Sequence, residues 1–218
     1  MTRTSVVTGA ASGIGLTTTK LLESRGERVI GVDLHDADVV ADLTTERGRT
    51  DMVERVRELS GGTLDALYAV AGLALPIPAT VAVNYFGMVA TLVGLRPLLL
   101  GSPAPRAVGV ASMASLFPVD DELVANLTAG DEPAALARAE ILAKEPETTG
   151  GLIYGSTKKA FAQWVRRSAA TADWAGASIP LNAVAPGIIA TPMTADLMAT
   201  DEARAALLRQ VPMPLNGV

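Results

Sequence analysis

Apolar and polar positions follow two patterns that alternate along this chain. Short runs of β-branched and other apolar residues predict buried strands, while longer segments with apolar residues three or four positions apart predict helices. Alternating strands and helices form βαβ units, whose strands lie parallel and whose helices cover both faces of the sheet. The pattern therefore predicts an α/β fold with a doubly wound parallel sheet.

Six strands and several helices follow from this pattern. The predicted strands span residues 4–8, 28–32 with Asp33 at the end, 39–40, 64–70, 106–111 and 179–184. The predicted helices are a first one that ends near Gly26, then 45–60, 81–100 and 154–170. For the 45–60 helix, Thr44 or Thr45 is the expected cap and Gly61 with Gly62 the expected terminator.

Two stretches interrupt the alternation. Residues 117–151 are rich in Ala, Glu and Asp and carry helix-like pieces around Leu123 and over 133–143, which predicts a helical insertion. We interpret its acidic residues as a solvated face; they are Asp120, Asp121, Glu122, Asp131 and Glu132. Residues 191–210 also have a helical pattern. Because 218 residues suffice for one core, we expect residues 1–218 to form a single domain.

The apolar stretch 81–100 is long enough to raise the question of a membrane span. It contains Asn84, Arg96, Pro97 and two glycines, and polar and charged groups are costly in lipid. We therefore interpret it as a buried helix and expect no membrane partner.

Charge and composition limit the classes of partner and compartment. Asp and Glu number 23 against 18 Lys and Arg, a formal net charge of -5, so a nucleic-acid partner is not expected. The chain has no Cys and one His, so neither a disulfide framework nor a Cys- or His-based metal site is predicted. No signal-peptide pattern precedes the first strand. The expected location is the cytoplasm.

A glycine-rich turn lies between the first strand and the first helix. It spans Thr8 to Gly15, where backbone N–H groups and a helix N-terminus favour phosphate oxygens. Asp33 ends the second strand, where a carboxylate accepts hydrogen bonds from a ribose and repels a 2′-phosphate. Since no Lys or Arg lies in the turn or just after Asp33, NAD is favoured over NADP. The alternative is a tight turn with a solvated aspartate.

Tyr154 and Lys158 lie four residues apart in a helical segment, so their side chains share one face. A nearby ammonium favours the charged form of a tyrosine, which suits proton transfer. Such a pair also occurs on helices by chance. It gains significance from a dinucleotide-binding turn on the same chain and from Ser112 at the end of the fifth strand, the edge at which α/β sheets bind ligands.

With these residues in place, the sequence resembles the short-chain dehydrogenase/reductase family over its whole length. The likeness rests on a coenzyme turn, an Asn-Ala-Gly-like segment, an adenine-flanking pair, a catalytic tetrad and a nicotinamide-side loop. In this chain they are Thr8-Gly-x-x-x-Gly13-Ile-Gly15, Val70-Ala71-Gly72, Asp42-Leu43, the four residues Asn84, Ser112, Tyr154 and Lys158, and Pro186-Gly187-Ile-Ile-Ala-Thr191.

The resemblance implies a Rossmann-type, three-layer fold and a hydride transfer between NAD and a secondary alcohol or ketone. Tyr154 would give or take the proton, Ser112 would polarise the carbonyl oxygen, Lys158 would hold the ribose, and Asn84 would fix a relaying water. The implied cofactor residues are Thr8, Gly9, Ser12, Gly13, Ile14, Gly15, Asp33, Leu34, Asp42, Leu43, Ala71, Gly72, Tyr154, Lys158, Pro186, Gly187, Ile189 and Thr191.

Within the family, the sequence is most similar to the bacterial 3-alpha-hydroxysteroid dehydrogenase/carbonyl reductase branch. The long insertion between Ser112 and Tyr154 contributes to this likeness, and in that branch it obstructs a common subunit contact, which implies a homodimer. Steroidal, alicyclic or aromatic substrates are expected. The alternatives are a dehydrogenase for another small alcohol and a non-catalytic dinucleotide-binding sensor, although a sensor would have no need to keep the tetrad complete.

Three further features depart from the family pattern or extend it. Val70 stands where the family has Asn, with an expected effect on stability rather than chemistry. Family members continue into a further helix and a seventh strand that these residues do not include, so we expect a piece of a longer protein or a shortened relative. Met193, Leu197 and Met198 follow the nicotinamide-side loop at helical spacing, which predicts either a substrate lid or an ordinary amphipathic helix.

Overall fold

Parallel strands form one twisted sheet in the part of the chain that the computed structural model describes, residues 2–195 and 198–210. The six strands are β1 (Thr4–Thr8), β2 (Arg28–Asp33), β3 (Val39–Val40), β4 (Ala66–Ala69), β5 (Arg106–Val110) and β6 (Leu181–Val184). Their order across the sheet is β3-β2-β1-β4-β5-β6. Strand order reverses between β1 and β4, and ligands bind at such a reversal, beyond the carboxyl ends of the strands.

Helices cover both faces of this sheet. They are α1 (Gly13–Ser24), α2 (Glu46–Ser60), α3 (Pro78–Val81), α4 (Met88–Leu99), α5 (Asp121–Ala129), α6 (Glu132–Leu142), α7 (Gly151–Ser168) and α8 (Asp201–Gln210). The predicted doubly wound architecture is confirmed. The cap of α2 is also confirmed, because the Thr45 hydroxyl accepts a hydrogen bond from the Gly48 N–H and Gly61 ends the helix in the left-handed conformation.

Two predicted strands begin later than expected. The fourth begins at Ala66 rather than residue 64, because the Leu64 N–H donates to the Leu98 carbonyl at the end of α4 instead of to a strand. The sixth begins at Leu181, after Pro180, which has no N–H to offer a neighbouring strand. Both of these differences lie at strand entrances. At the ligand-binding edge, β4 and β5 each end one residue earlier than predicted, at Ala69 and Val110.

Residues Pro78–Leu99 form one helical segment that includes a π-helical turn, Ala82–Gly87. Within the described residues, this is the segment long and apolar enough to cross a membrane, and more than half of its most apolar window is buried inside the protein. Its buried side chains include Val81, Leu92 and Leu95, which belong to the main hydrophobic core. Core helices meet the same criterion, and the burial favours that interpretation.

The predicted insertion consists of α5, α6 and a second π-helical turn, Pro146–Gly150. The interpretation of its acidic residues as a solvated face is wrong for two of them. Asp120 caps α5, because its carboxylate accepts from the Leu123 N–H. It also forms a bidentate salt bridge with Arg138, and the hydrogen bonds from Arg138 lower the pKa of the aspartate. Glu132 forms a bidentate salt bridge with the buried Arg49. These carboxylates hold the insertion in place.

The continuous helix expected over residues 191–210 is wrong. Residues Pro192–Thr194 form a 3₁₀ turn, which Thr194 closes because its hydroxyl contacts the Ile189 carbonyl and accepts from the Thr191 N–H. A separate helix, α8, begins further on, where the Thr200 hydroxyl accepts from the Ala203 N–H. The apolar residues keep helical spacing along the sequence, but the threonine hydroxyls bond to the backbone here and interrupt the helix.

Candidate active site

The glycine-rich turn brings the backbones of β1, α1 and β4 unusually close. A Cβ at Gly15 would lie 2.0 Å from the Gly9 carbonyl oxygen, and a Cβ at Gly9 would lie 3.0 Å from the Ala71 backbone. Gly9 also has a φ of 72°, a conformation that other residues rarely adopt. The turn therefore has no space for side chains at these positions, because neighbouring backbone already occupies it.

Two polar side chains hold this turn against the neighbouring strands. The buried Thr8 hydroxyl accepts hydrogen bonds from the Val70 and Ala71 N–H groups, at 3.0 and 3.1 Å. The Asp33 carboxylate accepts from the Ala11 N–H at 2.9 Å. Thr8 thus lies beneath the turn as a link between β1 and β4.

The predicted adenine-side residues lie on the loop between β3 and α2. Leu43 is buried, and Leu34, which follows β2, is exposed. The Asp42 carboxylate accepts hydrogen bonds from the hydroxyl and the backbone N–H of Thr44, and these bonds lower its pKa. Asp42 is therefore ionised at neutral pH and closes the turn that precedes α2.

Ser112 follows β5 and caps a 3₁₀ turn, Met113–Leu116, because its hydroxyl accepts from the Ala114 N–H at 3.1 Å. This turn packs against the start of α7, where a Cβ at Gly155 would lie 3.3 Å from the Ala114 carbonyl oxygen. Tyr154 is the residue before Gly155. The contact thus brings the segments that carry Ser112 and Tyr154 together.

Lys158 lies one turn after Tyr154 in α7, and its residue surface is only 3% exposed. The Nζ atom is 5.7 Å from the centre of the Tyr154 ring and donates a hydrogen bond to the Val110 carbonyl at 2.8 Å. Burial lowers the pKa of Lys158 to about 8. A buried ammonium beside a tyrosine ring is costly in a purely structural site and common in functional ones.

Asn84 lies in the π-helical turn and is fully buried. Its amide oxygen accepts from the Leu73 N–H and its amide nitrogen donates to the Leu73 carbonyl, both at 2.8 Å. The same nitrogen donates to the Thr157 hydroxyl at 3.3 Å, and that hydroxyl donates to the Tyr154 carbonyl. Asn84 is thereby connected to the backbone of the Tyr154 helix.

Sequence reasoning missed Thr157. It is a fully buried hydroxyl between two predicted catalytic residues, Tyr154 and Lys158. The one signal in the sequence was that Thr157 is a polar residue on the same helix as Tyr154 and Lys158, close to both along the chain. A threonine at such a position can bond back to its own helix, as this one does, so the type of residue alone does not reveal the second partner.

A cleft of about 150 Å³ opens at the carboxyl ends of β1, β4 and β5. The predicted residues that line it are Gly9, Ser12, Gly13, Ile14, Gly15, Ala71, Gly72, Tyr154, Lys158, Pro186, Gly187, Ile189, Thr191 and Met193. Other predicted residues lie outside its lining, namely Thr8, Asp33, Leu34, Asp42, Leu43, Asn84, Ser112 and Met198. Leu197 lies outside the described residues. Val70, Val110, Ala111, Pro192 and Thr194 complete the lining and were not predicted.

A family model described as short chain dehydrogenase matches residues 3–124. This chain belongs to the short-chain dehydrogenase family. It is 38% identical over 196 aligned positions to 3-alpha-hydroxysteroid dehydrogenase/carbonyl reductase from Comamonas testosteroni, over 86% of this chain and 73% of that protein. It is 30% identical over 227 aligned positions to cis-4-hydroxycyclohexanecarboxylate dehydrogenase from Sinomonas cyclohexanicum, over 97% and 82%.

Solved structures agree with this assignment. The 3-alpha-hydroxysteroid dehydrogenase from Pseudomonas sp. B-0831, complexed with NADH, matches with a TM-score of 0.84 and 37% sequence identity, over 94% of this chain and 80% of that one. The predicted family, its hydroxysteroid dehydrogenase-like branch and the Rossmann-type fold are confirmed. The prediction of an oxidoreductase that acts on CH–OH groups is confirmed at the level of the family.

The short-chain dehydrogenase pattern is altered at Val70, and the structure shows how the neighbouring strands stay joined. The Val70 N–H donates to the Thr8 hydroxyl, and the Ala71 N–H donates to the same oxygen. This backbone link needs no side chain at position 70. The Val70 side chain is thus available to the cleft that it lines, where it adds apolar surface.

Proposed function

We propose that this chain is an NAD-dependent dehydrogenase that interconverts a secondary alcohol and a ketone, with Tyr154 as general acid and base. The observation that carries the proposal is the buried Lys158 ammonium, 5.7 Å from the Tyr154 ring in a cleft floored by the glycine-rich turn. Core packing does not require a buried charge there, and such groups in a cleft are typical of functional sites.

The residues of the cleft fit a nicotinamide dinucleotide. Gly9 and Gly15 let the strand, the turn and the helix pack closely, and Gly13, which lines the cleft, would let the backbone approach the pyrophosphate. Asp33, at the end of β2, would accept the ribose hydroxyls and repel a 2′-phosphate, which supports NAD over NADP. When bound, the nicotinamide supplies the hydride chemistry.

The chain's own residues would handle the proton and the oxygen atom. In alcohol oxidation, the Tyr154 phenolate takes the hydroxyl proton, and in ketone reduction the phenol returns it to the oxygen. The Ser112 hydroxyl donates to that oxygen as it gains charge. Lys158 stabilises the phenolate and holds the ribose, while Asn84 completes the path by which the proton leaves.

Exposed apolar side chains on the segments that follow the strands, one of which (Met193) lines the cleft, support a hydrophobic substrate. They follow β4, β5 and β6 at the ligand-binding edge and are partly or largely exposed: Leu75, Ile77, Leu116, Phe117 and Met193. Leu116 is 87% exposed, and an apolar ligand that covered it would remove this surface from water. With the two relatives named above, this supports a steroidal, alicyclic or aromatic alcohol, with Met193 in a lid over it.

Replacing Tyr154 tests the proposal. NADH binding is measured by fluorescence titration, and turnover by nicotinamide absorbance with a panel of steroidal, alicyclic and aromatic alcohols and ketones. We expect Tyr154→Phe to keep NADH affinity within about threefold and to lose at least about a hundredfold in kcat, the usual contribution of acid–base catalysis. Tyr68→Phe, in β4 outside the cleft lining, serves as the matched control and should retain activity.

Each failure of this experiment has its own meaning. NADH binding without turnover of any compound would favour the dinucleotide-binding sensor over the enzyme. Full activity of Tyr154→Phe would remove Tyr154 from the proton chemistry. No binding of NADH by the wild-type protein would contradict the cofactor assignment itself.

Assembly and location follow the family resemblance. We propose a cytoplasmic homodimer, because α5 packs along α7 and covers a helix that would otherwise be free for a neighbouring subunit. The mass in solution, measured by light scattering after gel filtration, tests the dimer. A monomer or a tetramer would contradict it.

A further inference from the structure

Arg49 is a buried arginine that the proposed reaction does not use. It lies in α2, is 7% exposed, and has its guanidinium surrounded by oxygen atoms from three separate segments. Its Nε donates to the Leu43 carbonyl at 2.8 Å, and Nη2 donates to the Thr44 and Ala82 carbonyls, each at 3.2 Å. Nη1 and Nη2 contact the two Glu132 carboxylate oxygens at 2.7 and 2.6 Å.

The first of these segments is the predicted adenine-side loop. The Leu43 carbonyl lies between Arg49 and the end of the π-helical turn, where a Cβ at Gly87 would be 3.0 Å from the Leu43 oxygen and 3.1 Å from the Leu43 Cβ. The loop therefore has a hydrogen-bond donor on one side and a close backbone contact on the other. Loss of the donor would leave a buried carbonyl unpaired.

The second segment is the turn that carries Asn84. Ala82 is the first residue of that turn, and its carbonyl accepts from the same Nη2 atom that donates to Thr44. One guanidinium thus joins the adenine-side loop to the turn that carries a predicted catalytic residue. A planar fork with several fixed donors suits this task, whereas a lysine ammonium would not reproduce it.

The third segment is the insertion, which supplies the compensating charge. Glu132 is the first residue of α6, and its side chain is 29% exposed, so it reaches the buried guanidinium from the surface. A buried cation without a partner is strongly unfavourable. The Glu132 carboxylate therefore stabilises Arg49 in its position against the loop.

We propose that Glu132 and Arg49 are positioning residues for the cofactor: the insertion's carboxylate holds the guanidinium that fixes the Leu43 loop against the Asn84 turn. The inference rests on the proposed NAD binding and assigns the insertion a role in cofactor affinity. Neither residue needs to touch the cofactor. Their effect is expected on the adenine half of the site, since the held carbonyls belong to Leu43 and Thr44.

ADP-ribose, which has the adenine half of the cofactor but no nicotinamide, is the probe for this role. We expect Glu132→Gln, which keeps the shape but not the charge, to raise the Kd of ADP-ribose about tenfold or more, as loss of a charge-assisted hydrogen bond would. The KM for NAD should rise by a similar factor, and kcat should change less than KM. Arg49→Lys keeps a positive charge for Glu132 but loses the guanidinium's several donors. It should also raise the Kd of ADP-ribose and the KM for NAD more than it changes kcat.

The matched control is an exposed ion pair on the same helix. Arg55 and Glu58 are 2.7 Å apart and have side chains 56% and 66% exposed. Glu58→Gln should leave ADP-ribose binding unchanged. Titrations are made at a temperature well below the unfolding midpoint of each variant, so that lower stability alone cannot raise the Kd.

Hydrogen exchange of the free protein gives a readout independent of the cofactor. In Glu132→Gln, the backbone amides of residues 41–45 should exchange faster than in the wild type, while those of β1 should not. An unchanged Kd for ADP-ribose in a folded Glu132→Gln or Arg49→Lys would overturn the inference, as would a loss of kcat at unchanged KM. Wild-type protein that does not bind NADH would overturn the proposed function and this inference with it, and that result is visible before any variant is made.

Discussion

Burial of Lys158 leads to a pH dependence of stability whose sign and size follow from the structure. Burial lowers the pKa of this lysine from its ordinary value of 10.5 to about 8. The ammonium donates a hydrogen bond to the Val110 carbonyl, which offsets only part of the lost hydration. The protein therefore keeps a destabilising charge at the position where the proposed chemistry needs one.

The sign of the effect follows from counting protons in the two states. Between pH 8 and 10.5 the unfolded chain holds a proton on Lys158 that the folded protein has lost, so the free energy of unfolding rises with pH in that window. The whole pKa difference corresponds to about 3 kcal/mol, gained at about 1.4 kcal/mol per pH unit. Below pH 8 both states are protonated, and the full cost of burial is present.

Lys158→Met removes the titrating group and keeps an unbranched chain in the same space. Urea unfolding is measured from pH 7 to 10 without cofactor, and the wild-type free energy of unfolding is compared with that of the variant so that other groups cancel. We expect the wild type to gain about 2–3 kcal/mol relative to the variant over this range. Lys159→Met controls for removing a lysine from the same helix. If the free energies of unfolding of the wild type and Lys158→Met changed with pH in the same way, the lowered pKa of Lys158 would be refuted.

Two glycine substitutions test the close backbone contacts. Gly15→Ala would place a Cβ 2.0 Å from the Gly9 carbonyl oxygen, so we expect loss of NADH binding by fluorescence titration, whereas Gly151→Ala, whose methyl meets nothing within 4 Å, should bind normally. Gly109→Ala would place a Cβ 2.3 Å from the Phe161 ring, and we expect a loss of about 1–3 kcal/mol in urea unfolding. Adding Phe161→Leu should recover part of that loss, and simple additivity of the two changes would contradict the contact.

The sheet and the cofactor turn could be predicted because their signals are local. An apolar run followed at once by glycines at fixed spacing requires a strand and a tight turn, wherever the rest of the chain goes. Asp33 was placed at a strand end from its position after residues 28–32, and β2 does end there. The order of the strands across the sheet was not predicted, because no local signal specifies which strands pair.

The contacts that hold the site could not be predicted in the same way. Arg49 and Glu132 are 83 residues apart, and Asn84 and Thr157 are 73 apart. Nothing in the sequence near either member of a pair specifies its partner, because that depends on how the insertion and α7 pack. The acidic residues of the insertion looked solvated for the same reason: a charged residue at a helix start is typical of a surface, whether or not a buried arginine faces it.

The insertion is attached to the proposed site at two places, one near Tyr154 and one near the adenine-side loop. At the catalytic end, the Asp120 N–H donates to the buried Ser156 hydroxyl, two residues after Tyr154. At the cofactor end, Glu132 compensates the charge of Arg49. If the insertion only blocked a subunit contact, its removal would alter assembly alone. With these two attachments, removal would take away the partner of a buried hydroxyl and the counter-ion of a buried arginine. Assembly, cofactor affinity and the placement of Tyr154 are therefore coupled through the same helices.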